Sequence, residues 1–451
     1  MTMIGAPSSG AEAGQGAPSP YAWYVLSIFF LAAVLSYTDR LILNVLVDPI
    51  RQDLMISDTQ VSLLQGAAFA IVYSIAGFPL GRWADQRQRR NLVVLGVIVW
   101  STATGLCAIA QTFWGLFLSR MLVGVGEAAL APAVLSMIAD YFPPHRRGTA
   151  IGIFIAGMIM GAGVALMAGG YLLSFFQVQQ EAGFSFLGVD APWRQVLLAL
   201  GLFGFVVAAL FLTVREPRRQ DQVSSGSFGD LASYFSGNAS TFILLLGGLT
   251  LIQIVDYGLN SWMPSLLIRN FDFTPTEVGA TLGLILIGVA GFGTVIGGLI
   301  ADALQNRGHD HAKVLVCGVG VALATPCLLF GLLSEVDFVL WLYGAYAFLF
   351  AMSCAAGLAA IQDVVPSEMR GMTTAVQACL FTMVGLGLGP TIIAIGTDHV
   401  FGRPTAVGWS MTLVGLPILA ISSLAILISI KHFRGSRQRL LALVKSRAGR
   451  G

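Results

Sequence analysis

The chain has 451 residues, 56% of them hydrophobic and only 11% charged, with a net charge of +2. A soluble domain carries about 25% charged residues, so this composition excludes an ordinary soluble globular protein and places the chain in a membrane. So small a net charge gives no basis for binding nucleic acid.

Residues 1–20 are mostly Gly, Ala, Ser and Pro with one acid and no basic n-region. They read as a disordered cytoplasmic tail, not a cleavable signal peptide. Twelve apolar runs follow at 21–46, 60–81, 91–110, 112–138, 148–175, 194–214, 239–268, 278–301, 313–333, 338–361, 371–396 and 405–431. Each is near the ~20 residues that a helical span requires. Arg and Lys test this count. With both termini cytoplasmic, the cytoplasmic hairpins and tail hold 19 of the 25 basic residues and the opposite face only Arg51, Arg194, Arg269 and Arg403. That asymmetry fits the positive-inside rule for an even number of spans.

The two remaining basic residues, Arg40 and Arg120, lie inside spans, each near an acid. Arg40 follows Asp39 in the first run, and an ionised group at mid-bilayer costs roughly 3 kcal/mol on insertion scales. Charges held there face a water-filled cavity or opposite charges. In the fourth run Arg120 and Glu127 are seven residues apart. Seven steps of about 100° return to within about 20° of one face, so both look into the same space. Asp39 and Arg40 point about 100° apart. Asp39 near Arg120 with Arg40 near Glu127 is one arrangement; the pairing itself stays open. A static ion-pair cluster is the plainer reading, but buried pairs are poor stabilisers once desolvation is counted.

In the seventh run Gln253, Asp256, Tyr257 and Asn260 fall at i, i+3, i+4 and i+7, a polar stripe on an apolar helix. It lines a cavity or hydrogen-bonds neighbouring helices, and Asp256 is near enough to the outer end to serve there as a gate. The tenth run is mostly apolar, with Tyr343, Tyr346 and Ser353. In the eleventh, Gln377 precedes Gly385-x-Gly387-x-Gly389-Pro390, a pattern of close packing and a bend. The five cysteines all fall within spans and are expected as free, buried thiols. His309 and His311 flank Asp310 in a polar loop that reads as solvated, so neither a metal site nor a cofactor is expected.

Two motifs repeat. Asp140-x-x-Pro143-x-x-x-Arg147-Gly148 recurs as Asp363-x-x-Pro366-x-x-x-Arg370-Gly371, 223 positions later. Gly81-x-x-Ala84-Asp85 recurs as Gly298-x-x-Ala301-Asp302, 217 positions later. The chain therefore divides into a tail (1–20), a six-span bundle (21–214), a cytoplasmic linker (215–238), a second six-span bundle (239–431) and a basic cytoplasmic tail (432–451).

This arrangement resembles the major facilitator superfamily of secondary transporters over nearly the whole chain after residue 20. Gly81-x-x-x-Asp85 with Arg87, Arg89 and Arg90 is similar to its loop between spans two and three. Arg120-x-x-x-Gly124-x-Gly126 is similar to its fourth-span motif, and Gly152, Gly157, Gly161, Gly163, Gly169 and Gly170 fall where its glycine-rich fifth span lies. Tyr37-Thr-Asp39-Arg40, Gly124-Val-Gly126-Glu127-Ala128, Trp193-Arg194 and Trp262-Met-Pro264-Ser265 resemble more narrowly the Spinster branch. Its animal members move sphingosine phosphate and lysophospholipids.

The resemblance implies an all-α membrane fold of twelve helices in two pseudo-symmetric bundles, with spans one, four, seven and ten lining a central cavity. It implies a proton-coupled alternating-access transporter, not an enzyme, in the inner (plasma) membrane and monomeric, with protons and a small-molecule or lipid substrate as partners. Asp39, Arg40, Arg120 and Glu127 would couple protons. Desolvation favours the neutral form of a buried carboxylate and a guanidinium the ionised form, so alternating exposure and re-pairing would let Asp39 exchange a proton. Tyr37, Asn44, Gln253, Asp256, Tyr257, Asn260, Tyr346 and Gln377 would line the substrate cavity. Gly81, Asp85, Arg89, Arg147, Asp302 and Arg370 would form a cytoplasmic latch, Asp85 reaching the start of the eleventh span near Arg370 and Asp302 approaching Arg147. Two rivals stand beside this reading: an organic-anion:proton symporter or drug exporter, and a non-transporting membrane sensor.

Overall fold

The computed structural model describes residues 19–448, apart from residue 184, residue 218 and residues 220–227. Among them, twelve helical segments are long and apolar enough to cross a membrane, and strand pairing is confined to one isolated bridge. In chain order these are α1 (Pro20–Asn44), α2 (Asp58–Ala84), α3 (Arg89–Ile109), α4 (Phe113–Tyr141), α5 (His145–Glu181) and α6 (Pro192–Leu212). After them come α7 (Ala239–Phe271), α8 (Pro275–Asn306), α9 (Ala312–Leu332), α10 (Val336–Asp363), α11 (Ser367–Phe401) and α12 (Pro404–Ala442). The fold is the expected all-α one. Residues 1–18 of the expected N-terminal tail lie outside the described residues. The 215–238 segment contains a helix, Phe228–Gly237, and the helix of α12 runs unbroken from Val407 to Ala448, into the region expected as a tail.

Local chemistry starts these helices where they start. Ser19 accepts from the Ala22 amide with Pro20 in the first turn, and Thr112 caps α4 by accepting from the Gly115 amide. Reciprocal capping boxes, Ser57 with Gln60 and Thr274 with Glu277, open α2 and α8. Several spans are deliberately irregular. The helix of α1 ends at Leu41 and tightens into a 3₁₀ turn, Ile42–Asn44, while that of α4 breaks just after Glu127. Wide π turns interrupt α8 at Ile285–Ala290 and α11 at Phe381–Leu386, a form often found at functional sites.

Each half packs alike. α2 lies on α4, α3 on α4 and α6, and α1 on α5; correspondingly α8 lies on α10, α9 on α10 and α12, and α7 on α11. The repeated Asp explains part of this symmetry. Arg89 at the start of α3 pairs with Asp140 at 2.5 Å, and Lys313 at the start of α9 pairs with Asp363 at 2.7 Å. Each pair pins the first turn of one helix to the end of the next, α3 to α4 and α9 to α10.

Glycines set the closest approaches. A Cβ on Gly126 would lie 2.6 Å from the Gly96 carbonyl oxygen and 2.7 Å from the Trp100 amide nitrogen. Gly126→Ala should therefore force α3 and α4 apart at the residue before Glu127, at a cost of about 1–3 kcal/mol. A lowered melting temperature in detergent, with Gly152→Ala unaffected because its Cβ meets nothing within 4 Å, is the expected result.

The halves touch through α2 with α11 and through α5 with α8. The seam is tight at the end of the molecule opposite the start of α1, here called the distal end. There the position of a Gly66 Cβ is 2.2 Å from the Leu386 carbonyl oxygen. Cys107, Cys317 and Cys327 are buried as expected, whereas Cys354 and Cys379 are partly exposed. The polar loop around Asp310 is tied to the extended α12 helix. Arg434 Nη2 lies 2.9 Å from His311 Nδ1, and Arg437 pairs with Asp310 at 3.0 Å. Burial and then the Arg434 charge hold the His311 imidazole below its ordinary pKa, which keeps it available as an acceptor.

Candidate functional site

The irregular ends of α1 and α4 bring the four intramembrane charges together. Asp39, Arg40, Arg120 and Glu127 are all buried, each at most 4% exposed. Arg40 Nη2 donates to Glu127 Oε2 at 2.9 Å, and Ser36 Oγ donates to the same oxygen at 2.8 Å. The Arg40 guanidinium also sits over three rings, 4.7 Å from Tyr37, 4.5 Å from Phe69 and 4.8 Å from Tyr73. Aromatic faces supply electrostatic stabilisation to a cation withdrawn from water.

Arg120 does something the sequence does not suggest. Its Nη1 and Nη2 donate to the backbone carbonyls of Asp39 and Arg40 at 3.1 and 3.2 Å, and Nε to that of Leu64 at 3.4 Å. The last carbonyls of a helix have no intrahelical partner and carry its negative dipole end. Arg120 thus caps the early termination of α1. It meets Asp39 at the backbone, not at the carboxylate. Both Asp39 carboxylate oxygens and the neighbouring Thr104 hydroxyl are buried, and no hydrogen bond of ordinary length joins them.

The expected cavity residues divide into two groups. Tyr37 and Tyr257, from opposite halves, are half-buried, Tyr257 within electrostatic reach of Tyr37, Arg40 and Tyr73. Asp256 is half-buried beside Tyr346, Asn260 and Cys354. Gln253 accepts from Cys354 Sγ at 3.6 Å, and Tyr346 and Gln377 are buried with the Tyr346 hydroxyl and Gln377 Nε2 unbonded. Asn44 and Asn260 instead belong to the closed distal seam. Gln65 Nε2 donates to Asn44 Oδ1 at 3.2 Å, Asn44 Nδ2 to the Asn260 carbonyl at 3.3 Å, and Tyr343 to Asn260 Oδ1 at 3.0 Å.

A distal clasp was not anticipated. Arg269, at the end of α7, pairs through Nη1 and Nη2 with both Asp58 oxygens at 2.7 and 2.9 Å and through Nε with Asp48 at 2.8 Å. Asp398 accepts from the Thr59 amide and hydroxyl, both at 2.7 Å. The available signal was Arg269, one of four Arg on a face poor in basic residues, and a loop with Asp48, Asp53 and Asp58 on the same face.

Among the described side chains the expected latch residues are not joined to one another. Arg89 is instead buried within its own half, bonded to Asp140, Ser136 and Glu216. Arg147 Nε donates to the Phe142 carbonyl, and Asp302 and Arg370 are exposed. A Cβ on Gly81 would meet nothing within 4 Å, and the side chain of Asp85 lies outside those described. The cross-half hydrogen bonds found among the described residues cluster at the distal end, as expected for halves parted at the end that carries the latch motifs.

Residues 29–390 match the family model of the Major Facilitator Superfamily. A Mycolicibacterium smegmatis protein described as an MFS-type efflux pump is 28% identical over 84% of this chain and 85% of its own. Human protein spinster homolog 1 is 27% identical over 83% of this chain and 73% of its own, and Drosophila melanogaster protein spinster 23% over 89% and 67%. Among solved structures, a bacterial homolog of the human lysosomal transporter Spinster, inward-facing and unoccupied, superposes with a TM-score of 0.79 at 27% identity, covering 95% of this chain and 99% of that one. A D-xylose–proton symporter shares the fold, with a TM-score of 0.65 at 14% identity.

Proposed function

This chain belongs to the major facilitator superfamily, and from that premise we propose that it is a proton-coupled alternating-access transporter of an amphipathic, lipid-like substrate. The observation that carries the coupling is the buried cluster in which the Arg40–Glu127 pair stands beside an Asp39 carboxylate with no hydrogen bond. A carboxylate held dry and unbonded is costly. Its place is retained more readily for proton exchange than for stability, since a buried ion-pair cluster adds little to the latter.

Asymmetry between the walls supports the amphipathic substrate. The first half carries the charged cluster, whereas in the second half α10 carries a run of stacked rings, Tyr343, Tyr346 and Phe350, with centroids 6.3 and 6.0 Å apart. Relatedness to Spinster proteins favours the same class.

Orientation follows from charge. With the start of α1 and the end of α12 in the cytoplasm, most basic residues outside the spans are cytoplasmic, and the distal clasp seals the external side. The conformation is then inward-facing in the plasma membrane. Closing the cytoplasmic end would bring Asp85 toward the start of α11 and Asp302 toward Arg147.

The test is a proteoliposome assay with a pH dye inside the vesicles. Lysophosphatidylcholine, sphingosine phosphate and glucuronate are each added under an imposed pH gradient. A proton flux that depends on either lipid supports the proposal. Flux only with glucuronate would replace it by organic-anion symport, and substrate movement indifferent to the gradient would remove the coupling.

A further inference from the structure

The second half carries a slot between α8 and α10, away from the charged cluster. Toward the distal end the first part of α8, Pro275–Leu284, leans across the seam on α5, where a Cβ on Gly279 would meet the Leu166 carbonyl. Farther along, α8 returns to α10. A Cβ on Gly293 would meet the Phe348 carbonyl, and one on Gly297 the carbonyl of Met352. The π turn Ile285–Ala290 lies between these two attachments. There α8 and α10 stand apart around a groove of about 650 Å³, a size within the range of about 300–1,000 Å³ typical of ligand sites.

One face of α10 makes the floor of this slot. Asp337, Trp341, Gly344, Ala345 and Phe348 line it at helical spacing, while Tyr343 and Tyr346 on the other face are buried. Ile285 and Val289 of the π turn form the facing wall. A Cβ on Gly344 would meet nothing within 4 Å, so the floor is open there. From Asp337 to Phe348 the helix rises about 17 Å, close to the ~15 Å of one leaflet in a ~30 Å hydrocarbon core. Trp341, 78% exposed one turn below Asp337, suits the interfacial belt. The slot therefore opens at the membrane surface and closes near mid-bilayer, where Gly293 meets Phe348.

Charge at the mouth selects the occupant. Asp337 lines it and Glu335 stands just before; both are exposed, and neither joins an ion pair among the described residues. An acid in the first turn also suits the α10 dipole, but that role is indifferent to what fills the groove. Two acids above an apolar slot of leaflet depth repel an anionic headgroup and attract an ammonium. We propose that the α8–α10 slot holds one acyl chain of a resident phospholipid whose ammonium headgroup sits at Asp337. This lipid belongs to the bilayer and is not the transported substrate. Its place in the outer leaflet rests on the orientation proposed above. By filling the gap behind the π turn, it braces α8 against α5 at the distal seam.

Native mass spectrometry of the full chain, with no gradient imposed, tests the slot. Detergent-solubilised protein is titrated with dioleoyl phosphatidylethanolamine and dioleoyl phosphatidylglycerol, which share their chains and differ in headgroup. The wild type should retain a single lipid and favour ethanolamine about fivefold, the effect of roughly one charge near a membrane surface. Asp337→Asn should bring that ratio close to unity, and Asp337→Lys should reverse it. Gly344→Phe, which fills the floor, should lose the lipid while a melting curve still shows a folded protein. Equal retention of both lipids by the wild type overturns the proposal, as does retention of neither. A preference that survives Asp337→Asn or Gly344→Phe also overturns it. A dimer that Gly344→Phe dissociates would put a second copy of the chain in the slot instead. If Gly344→Phe does not fold, the variants of the exposed Asp337 decide the matter. A failed proton-flux assay with an intact ethanolamine preference would remove the coupling and leave the slot standing.

Discussion

Asp39→Asn is expected to abolish gradient-driven transport while substrate-for-substrate exchange across the membrane continues. Asparagine matches the carboxylate in shape and removes its ability to exchange a proton. Neither Asp39 oxygen makes a hydrogen bond of ordinary length, so the amide leaves no close hydrogen-bond partner unmet, and the lost negative charge is felt through Arg120. Arg120 would stay in place, since it holds the Asp39 and Arg40 carbonyls and not the side chain. Glu127→Gln should behave differently. It removes the charge that accepts from both Arg40 and Ser36, leaving a buried guanidinium without its counter-ion, and should lower the melting temperature as well as activity. Proteoliposome uptake under a pH gradient, exchange at zero gradient and detergent melting curves measure the three quantities. Full gradient-driven uptake by Asp39→Asn would end the claim that this residue carries the proton.

Arg269→Ala should release the distal end. This one guanidinium meets both oxygens of Asp58 and one of Asp48, which places three charged bonds across the seam. Asp58 is fully buried, and Arg269 is 7% exposed at its side chain. Arg51, 3.2 Å from Asp58, remains in the first half and cannot bridge the seam. Removing one partner of a buried pair costs about 3–5 kcal/mol. The lower part of that range applies at a membrane surface, and about 3 kcal/mol shifts a two-state equilibrium roughly hundredfold. Spin labels replacing Met55 and Glu335, on otherwise cysteine-free protein, should report a longer-distance population in the variant. An unchanged distance distribution would show that the clasp does not hold this end closed.

Much of the fold was legible because bilayer physics leaves few choices. A span must be apolar, about twenty residues long and helical, so twelve runs in the sequence become α1–α12. The repeated Asp140 and Asp363 motifs were legible as repeats, yet not as clamps on Arg89 and Lys313. Arg89 in particular was expected at a cross-half latch and lies inside its own half instead. Helical phase brought Arg120 and Glu127 to one face, but phase carries no information about which atom of a neighbouring helix is reached. Only the early end of α1 at Leu41 exposes carbonyls for Arg120 to cap. The distal clasp is not legible in the sequence because Arg269 is 211 residues from Asp58 and its members lie at helix ends and in a short helix, where no periodicity pairs them.

The sequence by itself determined the solvent, the number of spans, the two-fold repeat and the four charges that a bilayer tolerates only with partners. Those are properties of composition and helical period, both local to a segment. The tertiary structure decided the rest: Arg40 on Glu127, Arg120 on backbone, Asp39 unbonded, Asp256 among tyrosines and the halves locked at Arg269. Hydrogen bonds act over about 3 Å, and which groups come that close depends on how helices end, bend and cross.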